Sequence, residues 1–203
     1  MAQTKKDVVK TSIDNAALKI FSKKGFQDAR IMDIAAEANT SVGNIYRYYK
    51  SKTDIFYSVV PESIISDLQE ILVRKIVNPN VEEILKGGAL KTSSLISEEF
   101  IDFLITNKQK LSIAFQGSQG TKYVGIKEKT IFYIIQTVKN RYLQMHRIDI
   151  LERVSYEDLE NIYENLFSMI MNTLVRSKSN EDIKKSLQII NQYNLFGITS
   201  LFK

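Results

Sequence analysis

Cysteine is absent from the 203 residues. With it go disulfides, thiolate nucleophiles and every zinc site built on sulfur, and a reducing cytosol suits that composition. Histidine occurs once, as His146 in RYLQMHR, which leaves little material for a serine–histidine–aspartate triad. No group of Asp and Glu has metal-ligand spacing. GSQGTK (117–122) holds glycines and a lysine, but neither the G-x-x-x-x-G-K-[ST] spacing nor a preceding strand. We therefore expect no enzyme, no cofactor and no metal. Proline occurs twice and glycine eight times, a scarcity that favours long helices. No run of eighteen apolar residues appears, and MAQTKKDVVK lacks the apolar core of a secretory leader. The expectation is a cytoplasmic protein with no membrane partner.

What is present begins with a core: 44% of residues are hydrophobic, enough to exclude general disorder. The charge is unevenly spread. Residues 1–52 carry ten Lys/Arg against five Asp/Glu, leaving eighteen of each for 53–203. The net +5 thus resides in the first quarter of the chain, where it would attract a polyanion or form a solvated lysine-rich face.

The apolar pattern has helical period throughout and no sustained alternation, so the expected fold class is all-α. Val9, Ile13, Ala16, Ala17, Ile20 and Phe21 stripe a first helix over about 6–24, with Gly25 as its left-handed stop. Asp28 is the expected N-cap of a second helix through about Glu37. Asn39 suits a left-handed turn, and Ser41 an N-cap for a third helix over about 42–49. Ser51 and Asp54 resemble a capping box for a fourth. Pro61 should split that one, and VNPN (77–80) should break the chain. Further helices are expected at 81–106, 108–116, 126–147, 155–176 and 180–196. Two short helices joined by about three residues have helix-turn-helix spacing.

The residues AALKIFSKKGF (16–26) and IMDIAAEANTSVGNIYRYYKSKTDIF (31–56) resemble the N-terminal domain of TetR-family transcriptional regulators. The resemblance covers about residues 8–56. It implies a three-helix DNA-binding domain over 1–52, joined to a larger helical domain over 53–203 that binds a ligand and dimerises. By this resemblance the third helix enters the major groove of double-stranded DNA. Tyr46 and Lys52 would then set register on the backbone, Gly43 would permit close approach, and Tyr48 would offer its hydroxyl to a phosphate. Ser41, Val42, Asn44 and Arg47 would face base edges, Asn44 suiting adenine and Arg47 guanine. Arg30 would reach a phosphate or an adjacent base. Two departures stand out: Asn39 occupies a usual glycine position, and Val42 a usually polar one.

One such head buries little surface, so a homodimer on a palindromic operator is expected, its recognition helices about 34–36 Å apart. The apolar stripes of 155–176 and 180–196 are wide enough for a second packing surface, with Leu166, Ile170, Leu174, Leu187 and Ile190 as interface candidates. Phe100, Phe103, Leu104, Phe115, Tyr123, Phe132 and Tyr133 are the candidates to line a pocket for a small apolar or aromatic ligand. Segment 116–125 reads either as a gate or as a solvent loop. The whole predicts a repressor released by a small molecule; the alternative is a DNA-binding or scaffold protein whose second domain takes a protein partner.

Overall fold

The computed structural model describes residues 5–77, 97–144, 146 and 152–201, with the backbone alone for Lys5, residues 75–77 and residues 195–201. All regular structure in them is helical: α1 (Lys5–Asp28), α2 (Ile31–Glu37), α3 (Val42–Ile45), α4 (Lys52–Val59), α5 (Ser63–Val77), α6 (Glu98–Gln116), α7 (Ile126–Gln144), α8 (Tyr156–Arg176) and α9 (Asn180–Leu201). The all-α expectation holds. The expected helix start at 81 and the VNPN break fall largely outside the described residues.

Local chemistry sets most boundaries. Gly25 interrupts α1 at φ 72°, ψ 172°, a conformation essentially reserved for glycine. Asn39 takes the left-handed turn at φ 50°. The Oγ atoms of Ser41, Ser51 and Ser155 each accept from the backbone N–H three residues on, at 3.0–3.1 Å, as N-caps do. After α4 the chain leaves helical geometry at Val60, just before Pro61, whose ring disfavours the α conformation in the residue preceding it.

Two expected boundaries are corrected. Asp28 does not cap α2; it ends α1, because the chain makes one more turn after Gly25, and Arg30 is the N-cap residue instead. Asn107 does not separate two helices: α6 runs through it. Asparagine costs a helix interior only a fraction of a kcal/mol, about 0.7 at most, and buried Leu104 and Leu111 carry the apolar stripe past it.

The chain divides into two compact units, Met1–Ile65 with Asn107–Ile126 and Ser66–Thr106 with Lys127–Lys203. The first therefore takes in more than the 1–52 read from sequence. Its core joins Ile13, Ala17, Phe21, Ile34, Ile45, Ile55 and Phe56 to Ile113, Ala114 and Tyr123. Phe21, Phe26, Phe56, Tyr57 and Tyr123 form a chain of ring contacts at 5.0–6.0 Å.

Segment 116–125 is tied into this unit. Phe26 N–H donates to the Gly117 carbonyl at 2.7 Å. The Tyr123 hydroxyl donates to Val60 O at 2.9 Å, and Lys122 N–H donates to the Tyr57 oxygen at 2.9 Å. Two backbones meet here: a Cβ on Gly117 would lie 3.3 Å from the Gly25 Cα. Burial, then the Glu62 charge, pushes the Tyr123 phenol up to about 12, so it stays a donor at any ordinary pH.

The second unit has a core of its own. Ile131, Ile135, Val138 and Tyr142 of α7 pack with Leu159 of α8, and Leu174, Ile183 and Leu187 are buried on α8 and α9. Burial pushes the Tyr163 phenol far up. Among the described residues no helix is long and apolar enough to cross a membrane, and no acidic or histidine cluster could hold a metal.

Candidate nucleic-acid interface

The motif is built on α2, a turn and α3. Ala38 ends α2, Asn39 reverses the chain, and Thr40 N–H donates back to Ala35 O at 2.9 Å. Ser41 then starts α3, which continues as turns through Tyr48. Ile45 is fully buried and Tyr49 is 7% exposed. These two side chains fix which face points inward, and so which points out.

The outward face carries Ser41, Val42, Gly43, Tyr46 and Arg47. Tyr46 is 53% exposed and Val42 38%, large apolar areas that the fold does not use. A Cβ on Gly43 would meet only the Ser41 Oγ, at 4.0 Å. Nothing inside the protein therefore demands glycine at this position. Asn44 is half-buried, its Nδ2 donating to Thr40 Oγ1 at 2.8 Å, which leaves one amide proton and the amide oxygen.

The ten basic residues of 1–52 are not equivalent. Lys10 pairs with Asp14 at 2.7 Å, Lys19 with Glu37, and Lys24 with Asp33 at 2.8 Å, the last two joining α1 to α2. The Lys24 ammonium, with the Arg30 backbone N–H, holds the Asp33 carboxyl below the usual range. Arg30, Arg47 and Lys50 are exposed and make no ion pair among the described residues. With Lys6 and Lys23, also exposed and in no ion pair among the described residues, they are the cations left to meet something outside.

The Lys52 ammonium is held within the chain. Its Nζ donates to the carbonyls of Phe26 (2.7 Å), Gln27 (3.1 Å) and Ala29 (2.9 Å), and lies 4.5 Å from the Phe26 ring centre. Tyr48 is half-buried against the core rather than wholly outward. Tyr49 closes a polar cluster, its hydroxyl bonding Asp14 and lying 3.1 Å from Ser58 Oγ. Burial first, then the Asp14 contact, raises its pKa, while Asp14 raises that of Lys10. Sequence reasoning overlooked Lys50 and Met32, both exposed beside this surface. Lys50 was legible as the cation three residues after Arg47.

The other candidates scatter. Tyr123 and Phe115 belong to the packing of the first unit. In the second unit Phe100 and Leu104 are buried, Phe103 is half-buried, and Phe132 and Tyr133 are exposed on α7. A groove of about 420 Å³ along α1, lined by Val8, Ser12, Asn15, Lys19 and Glu37 among others, touches none of them. Of the dimer candidates, Leu174 and Leu187 are buried within the single chain, while Leu166, Ile170 and Ile190 are half-buried. Among the described residues of α8 and α9, the large apolar side chains left out are Val175, Ile189 and Tyr193.

An all-helical chain with a basic helix-turn-helix head is the class that this architecture defines. Residues 13–59 match the bacterial regulatory proteins of the tetR family. The chain is 39% identical over 59 residues to the HTH-type transcriptional regulator HbdR of Aromatoleum sp. (strain CIB), a stretch that is 29% of this chain and 26% of that relative's length. A TetR-like transcriptional regulator from Rhodococcus sp. RHA1 is similar in structure, with a TM-score of 0.50 at 19% identity, over 94% of this chain and 97% of the other. At that identity the likeness is one of fold.

Proposed function

We propose that the protein is a homodimeric DNA-binding transcriptional regulator, a repressor released from a palindromic operator by a small ligand. The observation that carries the DNA-binding part is the outward face of α3. It presents Val42, Gly43, Tyr46 and Arg47 on a helix pinned by Ile45 and Tyr49. It stands in a region that carries the whole basic surplus of the chain. Ser41, Val42, Asn44 and Arg47 read base edges, with Val42 suited to a thymine methyl and Arg47 to guanine. Tyr46 and Arg30 hold the backbone, and Gly43 lets a phosphate come close.

Two copies place two such helices on successive turns of the groove. Support for pairing comes from α9, where Ile189 (66% exposed) and Tyr193 (69%) stand one helical turn apart. A ligand shifts the equilibrium only by binding one arrangement of the heads better than another. The second unit, with Phe100, Phe103 and Leu104 on α6, is where such a ligand is sought.

The test is selection of fragmented genomic DNA by the purified protein at two salt concentrations. The expected result is a palindromic motif with half-sites about one helical turn apart. Enrichment without a motif, lost at the higher salt, would mean a basic patch only.

A further inference from the structure

Two lysines flank Ser51, and the structure treats them oppositely. Lys50 is exposed; its backbone N–H donates to Asp54 at 3.0 Å, and its ammonium makes no ion pair among the described residues. The Lys52 ammonium has three protons, and three carbonyl oxygens lie within 3.1 Å of it. An ammonium has no further donor to give.

The carbonyls in question are those at the end of α1 and the turn beyond it. They lie beyond the Gly25 interruption of α1, where the chain has too few turns left to give each carbonyl a helical partner, so a cation there supplies the missing donor. The Phe26 ring adds a cation–π contact, and the Ala29 carbonyl belongs to a residue buried in the core. A phosphate that took the proton given to the part-buried Phe26 or Ala29 oxygen would leave that carbonyl short of a donor, at a cost comparable to what it gained.

We infer that Lys52 is a positioning residue and that Lys50 makes the phosphate contact its neighbour was expected to make; this rests on the DNA-binding reading. Lys52 binds the turn between α1 and α2 to the first residue of α4. That turn leads directly into Arg30, and α4 directly follows the recognition helix. The clamp thereby fixes the spacing of Arg30 from α3, which both must match on one duplex.

Lys52→Met and Lys50→Met remove each charge while keeping an unbranched apolar stem. Each variant is melted, and its affinity for a mixed-sequence duplex is measured across a salt series. For Lys52→Met we expect a Tm lower by about 5 °C or more, with the slope of log K against log salt unchanged in the folded protein. For Lys50→Met we expect an unchanged Tm and a slope reduced by about 0.9 for each protomer bound. An unchanged Tm or a lost slope in Lys52→Met overturns the clamp, and an unchanged slope in Lys50→Met overturns the phosphate contact.

Should Lys52→Met not fold at any temperature, the wild-type chain labelled with 15N-lysine decides. A slowly exchanging Lys52 ammonium signal that stays in place when duplex is added supports the clamp. A signal that moves overturns it. Wild-type protein that binds no duplex even at low salt would sink the DNA-binding reading alone, leaving the melting result to judge the clamp.

Discussion

The two units expose apolar side chains for different reasons. In the first, Met32, Val42 and Tyr46 stand out on α2 and α3, on a motif whose inner side is fully packed. In the second, Phe132 and Tyr133 stand out on α7, and Ile189 and Tyr193 on α9. The first set is interspersed with Arg30, Arg47 and Lys50, and so suits a charged, grooved partner. The pair on α9 lies at i and i+4, a repeat that suits another helix. Exposure alone is therefore a poor guide to function; the charge around it separates the cases.

The glycines make the same division within the first unit. Gly25 is required by its own dihedral angles, and Gly117 by the Gly25 backbone 3.3 Å from where its Cβ would be. Gly43 is required by nothing in the chain. A residue without an internal reason points to an external one.

The comparison can be broken by substitution, beginning with the largest expected effect. Tyr49→Ala should destabilise the protein by about 3–5 kcal/mol, the range for losing a buried aromatic. Tyr46→Ala, three residues earlier, should change stability by no more than about 0.5 kcal/mol while weakening binding to all duplex sequences alike. Denaturant melts and a duplex titration check the pair; equal destabilisation would erase the distinction between inner and outer tyrosine.

Next, Ile189→Lys with Tyr193→Lys should weaken self-association by about 2 kcal/mol or more, leaving helicity intact. Sedimentation across a concentration series reads this, and an unaltered dimer would move the interface elsewhere. The glycines give a smaller effect of opposite signs. Gly25→Ala should cost about 1–3 kcal/mol. Gly43→Ala should gain about 0.5–1 kcal/mol yet bind duplex more weakly. A stabilised protein with unchanged affinity would show that no phosphate comes close at Gly43.

The smallest effect is a pH dependence. Asp33 has a folded pKa below its unfolded one, so its contribution is present above the ordinary carboxylate value and fades as pH falls through the folded value. Asp33→Asn should therefore lower stability slightly at neutral pH and not at all in strong acid. Parallel melts of the two proteins down the acid range would show the gap closing.

How much of this was legible in the sequence follows from distance along the chain. The Gly25 stop, the Asn39 turn and the Ser41 and Ser51 caps are local, and each was readable from a few neighbours. The inward bonds of Lys52 were not legible, because its three carbonyl partners lie 23–26 residues back, where no local pattern points. The Tyr123 bond was hidden for the same reason, its acceptor being Val60, 63 residues away. Periodicity likewise assigned Leu174 and Leu187 to an interface, but a helical stripe does not say which part its own neighbour covers.

The most direct test of the central claim is a titration of 15N-labelled protein with duplex DNA at low salt, read amide by amide. We predict that the signals of Ser41, Val42, Gly43, Asn44, Tyr46 and Arg47 move first, with Arg30 and Lys50, while those of Ile131–Tyr142 stay in place. Shifts confined to α7, α8 and α9, or none at all, would contradict the assignment of α3 as the surface that grips DNA.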